Sequence, residues 1–247
     1  ITFLLFLLFV PVSIEAKLKT KNVILITLDG IRWQEVFSGA DSALIYNKTF
    51  TKDSANVVKK FWDDGHNQRR QMLMPFFWSD IAKHGQLYGN VNKSSVVELK
   101  NPYWFSYPGY SEILVGYVDP TRNSNAKENN PNITVLEYIH GQPGFDGKVA
   151  AFCSWDVFDY IINEKRAGFL VNAGMERYEE IRGSQKAELL NELVFQIPVP
   201  WASVRFDALT YHYAFDYLKR YNPKLLYIAF DETDEFAHEG KYDQYLL

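Results

Sequence analysis

Only one cysteine, Cys153, stands among the 247 residues. This excludes an intramolecular disulfide and any cysteine-cluster metal site. A basic surplus is also missing: 26 Lys and Arg stand against 30 Asp and Glu, for a formal charge of −4. The chain therefore lacks the electrostatic footprint of a nucleic-acid binder. Its N-terminal apolar run, ITFLLFLLFVPV, falls short of the about 20 residues that a membrane-spanning helix needs. No internal repeat or low-complexity tract occurs, which sets aside solenoids and fibrous arrays. With 47% hydrophobic and 23% charged residues, general disorder is excluded as well. The length fits one sizeable α/β domain or two small ones. Aromatic residues, by contrast, are abundant at 16%, enough for a large core or a ligand-facing surface.

The N-terminal run has the length of a signal-peptide core and is followed by SIEA and then lysines. Residues 1–16 are expected to be an export signal, incomplete at its start, with cleavage after Ala16. Export with a single cysteine suits a bacterial periplasm better than a disulfide-dense secreted scaffold. In that setting the sequons at Asn47, Asn92 and Asn132 are chance matches. At the other end KYDQYLL carries no helix stop, and truncation is expected there too.

NVILITLD (22–29) is a continuous apolar run ending in an acid, the pattern of a parallel strand buried on both faces. KVAAFCSWD (148–156) and KLLYIAFDETD (224–234) repeat that pattern. Helices are expected over 74–85, from about Pro108 through SEILVG, over 134–141, 184–195 and 203–223, with a short strand over 86–91. Residues 38–70 read as an irregular polar insertion or lid, whose Lys59–Lys60 and Arg69–Arg70 pairs either meet a phosphate or, as is usual for charge pairs in such insertions, are solvated. Strands alternating with helices imply a mostly parallel sheet flanked by helices on both faces. Ligands in that architecture gather outside the carboxyl ends of the strands, where Asp29, Asp156 and the Asp231–Asp234 cluster fall.

Asp234 and His238 have the i, i+4 spacing that puts both side chains on one helical face. A carboxylate oxygen with an imidazole nitrogen suits zinc, although acids and a histidine at a helix start also serve as a solvated cap. Asp231, Glu232, Glu235 and Glu239 crowd the same stretch, a density of negative charge that calls for a cation or solvent. Asp29 alone reads as a turn or capping residue. Ser106, within NPYWFSYPGYSEILVG, would present a hydroxyl at a helix N-terminus, where an anion is favoured. Its bland role is an N-cap. Tyr103, Trp104, Phe105, Tyr107 and Tyr110 form either an aromatic wall for a leaving group or ordinary core. Asp156 reads as a cap for the next helix, Cys153 as an inert core residue, and His212 as packed or solvated.

Three ordered segments, VILITLDG (23–30), SYPGYSEILVG (106–116) and YIAFDETDEFAHEG (227–240), resemble the alkaline phosphatase superfamily and most closely its nucleotide pyrophosphatase/phosphodiesterase-like branch. The resemblance spans most of residues 22–247. It implies an alkaline phosphatase-like catalytic domain, of which residues 17–247 are the N-terminal part, with two zinc ions at the carboxyl edge of the sheet. Carried over by position, Asp29 and Ser106 would belong to one metal site, with Ser106 the nucleophile, and Asp234 and His238 to the other. Asn125, with Asn123 close behind, corresponds to the family's phosphate-binding asparagine. A further Asp–His pair and another His should follow Asp234 and His238 but lie beyond Leu247, so residues 1–247 alone are expected to be inactive. Tyr110 stands where the formylglycine sulfatases of the superfamily have Arg, which sets that chemistry aside.

The expected function is an exported, metal-dependent hydrolase of phosphate monoesters or diesters. Ser106 would attack phosphorus to give a phosphoserine intermediate that water then hydrolyses. The partner is a small phosphate ester. Manganese or another divalent ion would suit the same donors. The rivals are a phosphomutase or phosphotransferase, which export disfavours, and a non-catalytic binding protein that kept the fold and lost a metal site.

Overall fold

Four short apolar stretches pair into one parallel sheet in the computed structural model, which describes residues 20–179 and 184–247. In chain order the strands are β1 (Val23–Leu28), β2 (Val149–Cys153), β3 (Leu170–Ala173) and β4 (Leu225–Phe230); across the sheet they run β1-β4-β2-β3. The expected leader, residues 1–16, lies outside the described residues.

The first crossover is long. It carries α1 (Trp33–Ser38), α2 (Ser42–Ile45), α3 (Ser54–Phe61), α4 (His66–Leu73), a π-helical turn (Phe77–Ile81) running into α5 (Ala82–His84), a 3-10 turn (Val91–Lys93), α6 (Ser106–Val115) and α7 (Val135–His140). Next, α8 (Phe158–Ile161) and α9 (Glu164–Ala167) join β2 to β3, while α10 (Gln185–Gln196) and α11 (Asp207–Tyr221) join β3 to β4. Finally α12 (Glu232–His238) and α13 (Tyr242–Tyr245) follow β4. No described helix is long and apolar enough to cross a membrane.

Alternation along the strands fills both faces of the sheet. Val149, Ala151 and Cys153 of β2 and Tyr227 and Ala229 of β4 pack against Tyr110 and Leu114 of α6, Leu136 of α7 and Phe158 of α8. Ala150, Phe152, Leu226 and Ile228 face the other way, against Leu190 and Val194 of α10 and Tyr213 and Tyr217 of α11. The helices are held by local signals. Thr134 and Glu137 form a reciprocal capping box on α7, Ser184 caps α10 through the Ala187 N–H, and α11 ends on Asn222 in a left-handed conformation before Pro223.

Several expectations are corrected here. Among the described residues β1 has one strand neighbour, β4, so it is an edge strand rather than one buried on both faces. Val23, Ile24, Ile26 and Leu28 are between 44% and 53% exposed. No strand forms over 86–91, where Leu87, Tyr88 and Val91 are exposed and have no β partner. The α11 helix begins at Asp207 rather than 203, because Val204 instead makes an antiparallel bridge with Trp155. Strand β3, four residues long, is too short to announce itself by alternation.

Residues 38–70 are not irregular. They fold into α2, α3 and α4, and Ala40, Ile45 and Val57 build a third core with Tyr242, Tyr245 and Leu246. Arg69 is buried there rather than solvated, and Arg70 shares its mode of packing. Their guanidinium groups lie 4.2 Å over Trp62 and 3.7 Å over Trp78, and Arg69 also donates to the Ser38 and Asp63 carbonyls.

Candidate functional site

Strand register brings the loop acids to one edge. Leu28 pairs with Phe230, and Cys153 with both Ala229 and Ala173, so Asp29 and Asp231 leave the sheet at the same level and Ser154 one residue lower. A groove of about 600 Å³ opens beside this edge. Asp29, Ser106, Asp234 and His238 line its polar end, and Leu99, Tyr103, Trp104, Phe105 and Ile113 its apolar wall. Residues from three distant parts of the sequence thus meet in one cleft.

Ser106 opens α6, with Phe105 extended at the N-cap. The loop before it is tied down because Glu112 accepts from the backbone of Lys100 at 2.7 Å and of Asn101 at 2.9 Å. Ser106 and Tyr110 line the groove beside the Asp29 carboxylate and oppose the rise that burial causes in it. Asn125 sits at the same helix start, its Oδ1 accepting the Tyr107 N–H at 3.0 Å. The expected asparagine therefore stands beside the expected nucleophile and caps the helix that presents it.

Across the groove, α12 carries Asp234 and His238 on one face, with His238 Nε2 3.2 Å from Asp234 Oδ2. Their side chains are 24% and 78% exposed, so the imidazole stands out into the cleft while the carboxylate is sheltered. The β1 loop meets α12 closely: Thr233 Oγ1 donates to the Asp29 carbonyl at 2.5 Å.

Charge in this corner is one-sided. No Lys or Arg lines the groove among the described residues. Burial pushes the Asp29 carboxyl up against its hydrogen bonds, and burial followed by the charge of Asp29 raises Asp234. Asp231 is only 4% exposed; burial, then Asp29 and Asp234, push it up to about 9. Asp29 Oδ2 is buried and has no hydrogen-bond partner.

These features fit divalent metal binding. The donors are hard oxygens and one imidazole, one carboxylate oxygen is orphaned, and the raised carboxyls are those that a cation would ionise. Asp29, Asp234 and His238 do not bring one donor atom each within 4.8 Å of one another, whereas a different group, Asp159, Glu164 and Glu176, does. The donors in the groove are thus not one compact set, and of them Asp234 and His238 are in contact. The Asp159 group lies beyond β2 and β3, and its carboxylates could hold an ion of their own. Burial and the charges of Glu176, Glu164 and Asp156 hold Asp159 up to about 8.

The aromatic segment divides by residue. Tyr107 and Tyr110 are core at 1% and 6% exposure, whereas Trp104 is 98% exposed at the groove wall. Asp156 does not cap α8, whose start has no side-chain cap; its Oδ2 accepts from Lys127 Nζ at 2.6 Å. Cys153 is fully buried, and burial holds its thiol well up. His212 faces Lys186 Nζ at 3.3 Å on the outer side of α11.

Sequence reasoning passed over Ser154, Asn172, Arg205, Asp207 and Thr210, which form a buried polar chain behind the groove. Their only sequence signal is polarity inside otherwise apolar stretches. The fold and the groove define an α/β protein with a parallel sheet and an acidic cleft at its carboxyl edge. Comparison with known proteins found no matching family model, curated protein or solved structure.

Proposed function

We propose that this chain is the N-terminal part of a metal-dependent hydrolase of phosphate monoesters or diesters, with an alkaline phosphatase-like fold and Ser106 as the nucleophile. The observation that carries the reading is the meeting of Ser106 and Asp29 with Asp234 and His238 in one groove that, among the described residues, no Lys or Arg lines. Such a cleft repels an anionic ester until cations enter it.

Asp29 and Ser106 would hold one divalent ion, zinc by donor type, and Asp234 and His238 the other. Bound there, the ions would supply positive charge for the phosphoryl group and lower the pKa of the attacking hydroxyl. Ser106 attacks phosphorus, its proton ends on the departing ester oxygen, and water then cleaves the phosphoserine bond, releasing phosphate from a monoester or a phosphate monoester from a diester. Asn125, fixed through its Oδ1, keeps its amide N–H₂ available to a phosphate oxygen beside Ser106. Trp104 and Phe105 form a wall for the leaving group. Export to a periplasm accords with this role.

The test uses protein expressed from the complete reading frame. Ser106→Ala should abolish turnover of an aryl phosphate ester while leaving the zinc content nearly intact, and Asp234→Ala should lower the zinc content. Hydrolysis retained in the first variant would remove the covalent route. Unchanged zinc in the second would remove the ligand assignment.

A further inference from the structure

Behind the groove, the N-termini of α11 and α12 meet and cap one another. The Asp207 carboxylate accepts the backbone N–H of Asp231 at 2.9 Å and of Glu232 at 3.2 Å. The Glu232 carboxylate returns the contact by accepting the Asp207 N–H at 2.7 Å. Helix α12 has no cap of its own, since Asp231 at its start makes no side-chain cap bond. Its first N–H groups are therefore satisfied from another helix.

A directed chain of hydrogen bonds holds Asp207 in place. Arg205 is fully buried and, among the described residues, has no carboxylate within hydrogen-bonding distance; it donates Nη1 to Asn172 Oδ1 at 2.7 Å and Nε to Thr210 Oγ1 at 2.8 Å. Ser154 Oγ lies 2.8 Å from Thr210 Oγ1 and donates to Asp207 Oδ1 at 2.5 Å. Each hydroxyl has one proton. With the Ser154 proton on Asp207, that of Thr210 must point to Ser154. The polarity then runs one way, from guanidinium to carboxylate through two hydroxyls, and each bond strengthens the next. The far end of this chain grips the helix that carries Asp234 and His238.

We propose that Asp207 is a positioning residue for the Asp234–His238 metal pair: by capping α12 from α11 it fixes that helix, and with it the two donors, against the mouth of the groove. This rests on the reading of Asp234 and His238 as ligands. Asp207 itself does not line the groove.

The test is a Co²⁺ titration of metal-stripped protein from the complete reading frame, read by visible absorption and equilibrium dialysis, with melting temperature measured alongside. Asp207→Asn should weaken Co²⁺ at the Asp234–His238 site by about ten- to a hundredfold and alter the absorption bands. Thr210→Val, which breaks the hydroxyl chain but leaves the caps on α12, should lower the melting temperature and keep both affinity and bands. Unchanged Co²⁺ binding in Asp207→Asn would overturn the proposal, and so would an equal loss in Thr210→Val, since general loosening would then suffice. Asp234→Ala identifies the other failure: if it binds Co²⁺ as the parent does, the ligand assignment falls and the proposal with it. Should Asp207→Asn not fold, Asp207→Ser, which can accept only one of the two α12 N–H groups, should weaken Co²⁺ several-fold, and unchanged affinity there would overturn the proposal.

Discussion

Gly30 and Asp234 touch backbone to backbone: a Cβ placed on Gly30 would lie 2.5 Å from Asp234 Cα and 2.7 Å from its N. Gly30 also has φ +72°, a conformation that side chains resist. The loop after β1 and the first turn of α12 can therefore approach only because this residue has no side chain. Gly30→Ala should cost about 1–3 kcal/mol through strain and displace Asp234 from Asp29. A urea melt would show the destabilisation, and metal analysis should show a loss of zinc out of proportion to it.

The pH dependence of stability has a defined sign at Asp159. Its carboxyl is held up to about 8 in the fold, mainly by burial and then by Glu176, Glu164 and Asp156, against 3.8 when unperturbed. The folded state therefore keeps a proton that the unfolded chain releases, and stability falls as pH rises from about 4 to about 8. Asp159→Asn should match the parent near the lower end and exceed it in melting temperature above the upper end. Melting curves across this range, in the presence of a chelator, would check it. An equal gain at all pH values would show that the charge is not the cause.

Trp104 is almost fully exposed, with Phe105 half-exposed beside it. Trp104→Ala should leave stability within about 0.5 kcal/mol and raise KM several-fold for esters with a flat aromatic leaving group. Esters with a small leaving group should be unaffected. Steady-state kinetics on one ester of each kind would separate the two.

Much of the sheet was legible because a parallel strand announces itself: NVILITLD, KVAAFCSWD and KLLYIAFDETD are apolar runs ending in acids, and all three are strands whose ends share one edge. The i, i+4 spacing of Asp234 and His238 was equally legible, and the helix is there. Position within the sheet was not, because VILITL reads the same whether one neighbour or two flank it. The start of α11 was misread since Val204 continues the apolar pattern while its backbone pairs with Trp155. Asp207 fell inside the expected 203–223 helix and gave no signal there; its significance comes from Ser154, 53 residues earlier, and Glu232, 25 residues later.

The most direct test of the account is to quench zinc-loaded protein, expressed from the complete reading frame, in acid during turnover of an aryl phosphate ester and to map the products by peptide mass spectrometry. The account predicts one phosphoryl group on the peptide containing Ser106, absent from Ser106→Ala and from metal-stripped protein. Turnover with no phosphoryl group on Ser106, or with the group on another side chain, would contradict it.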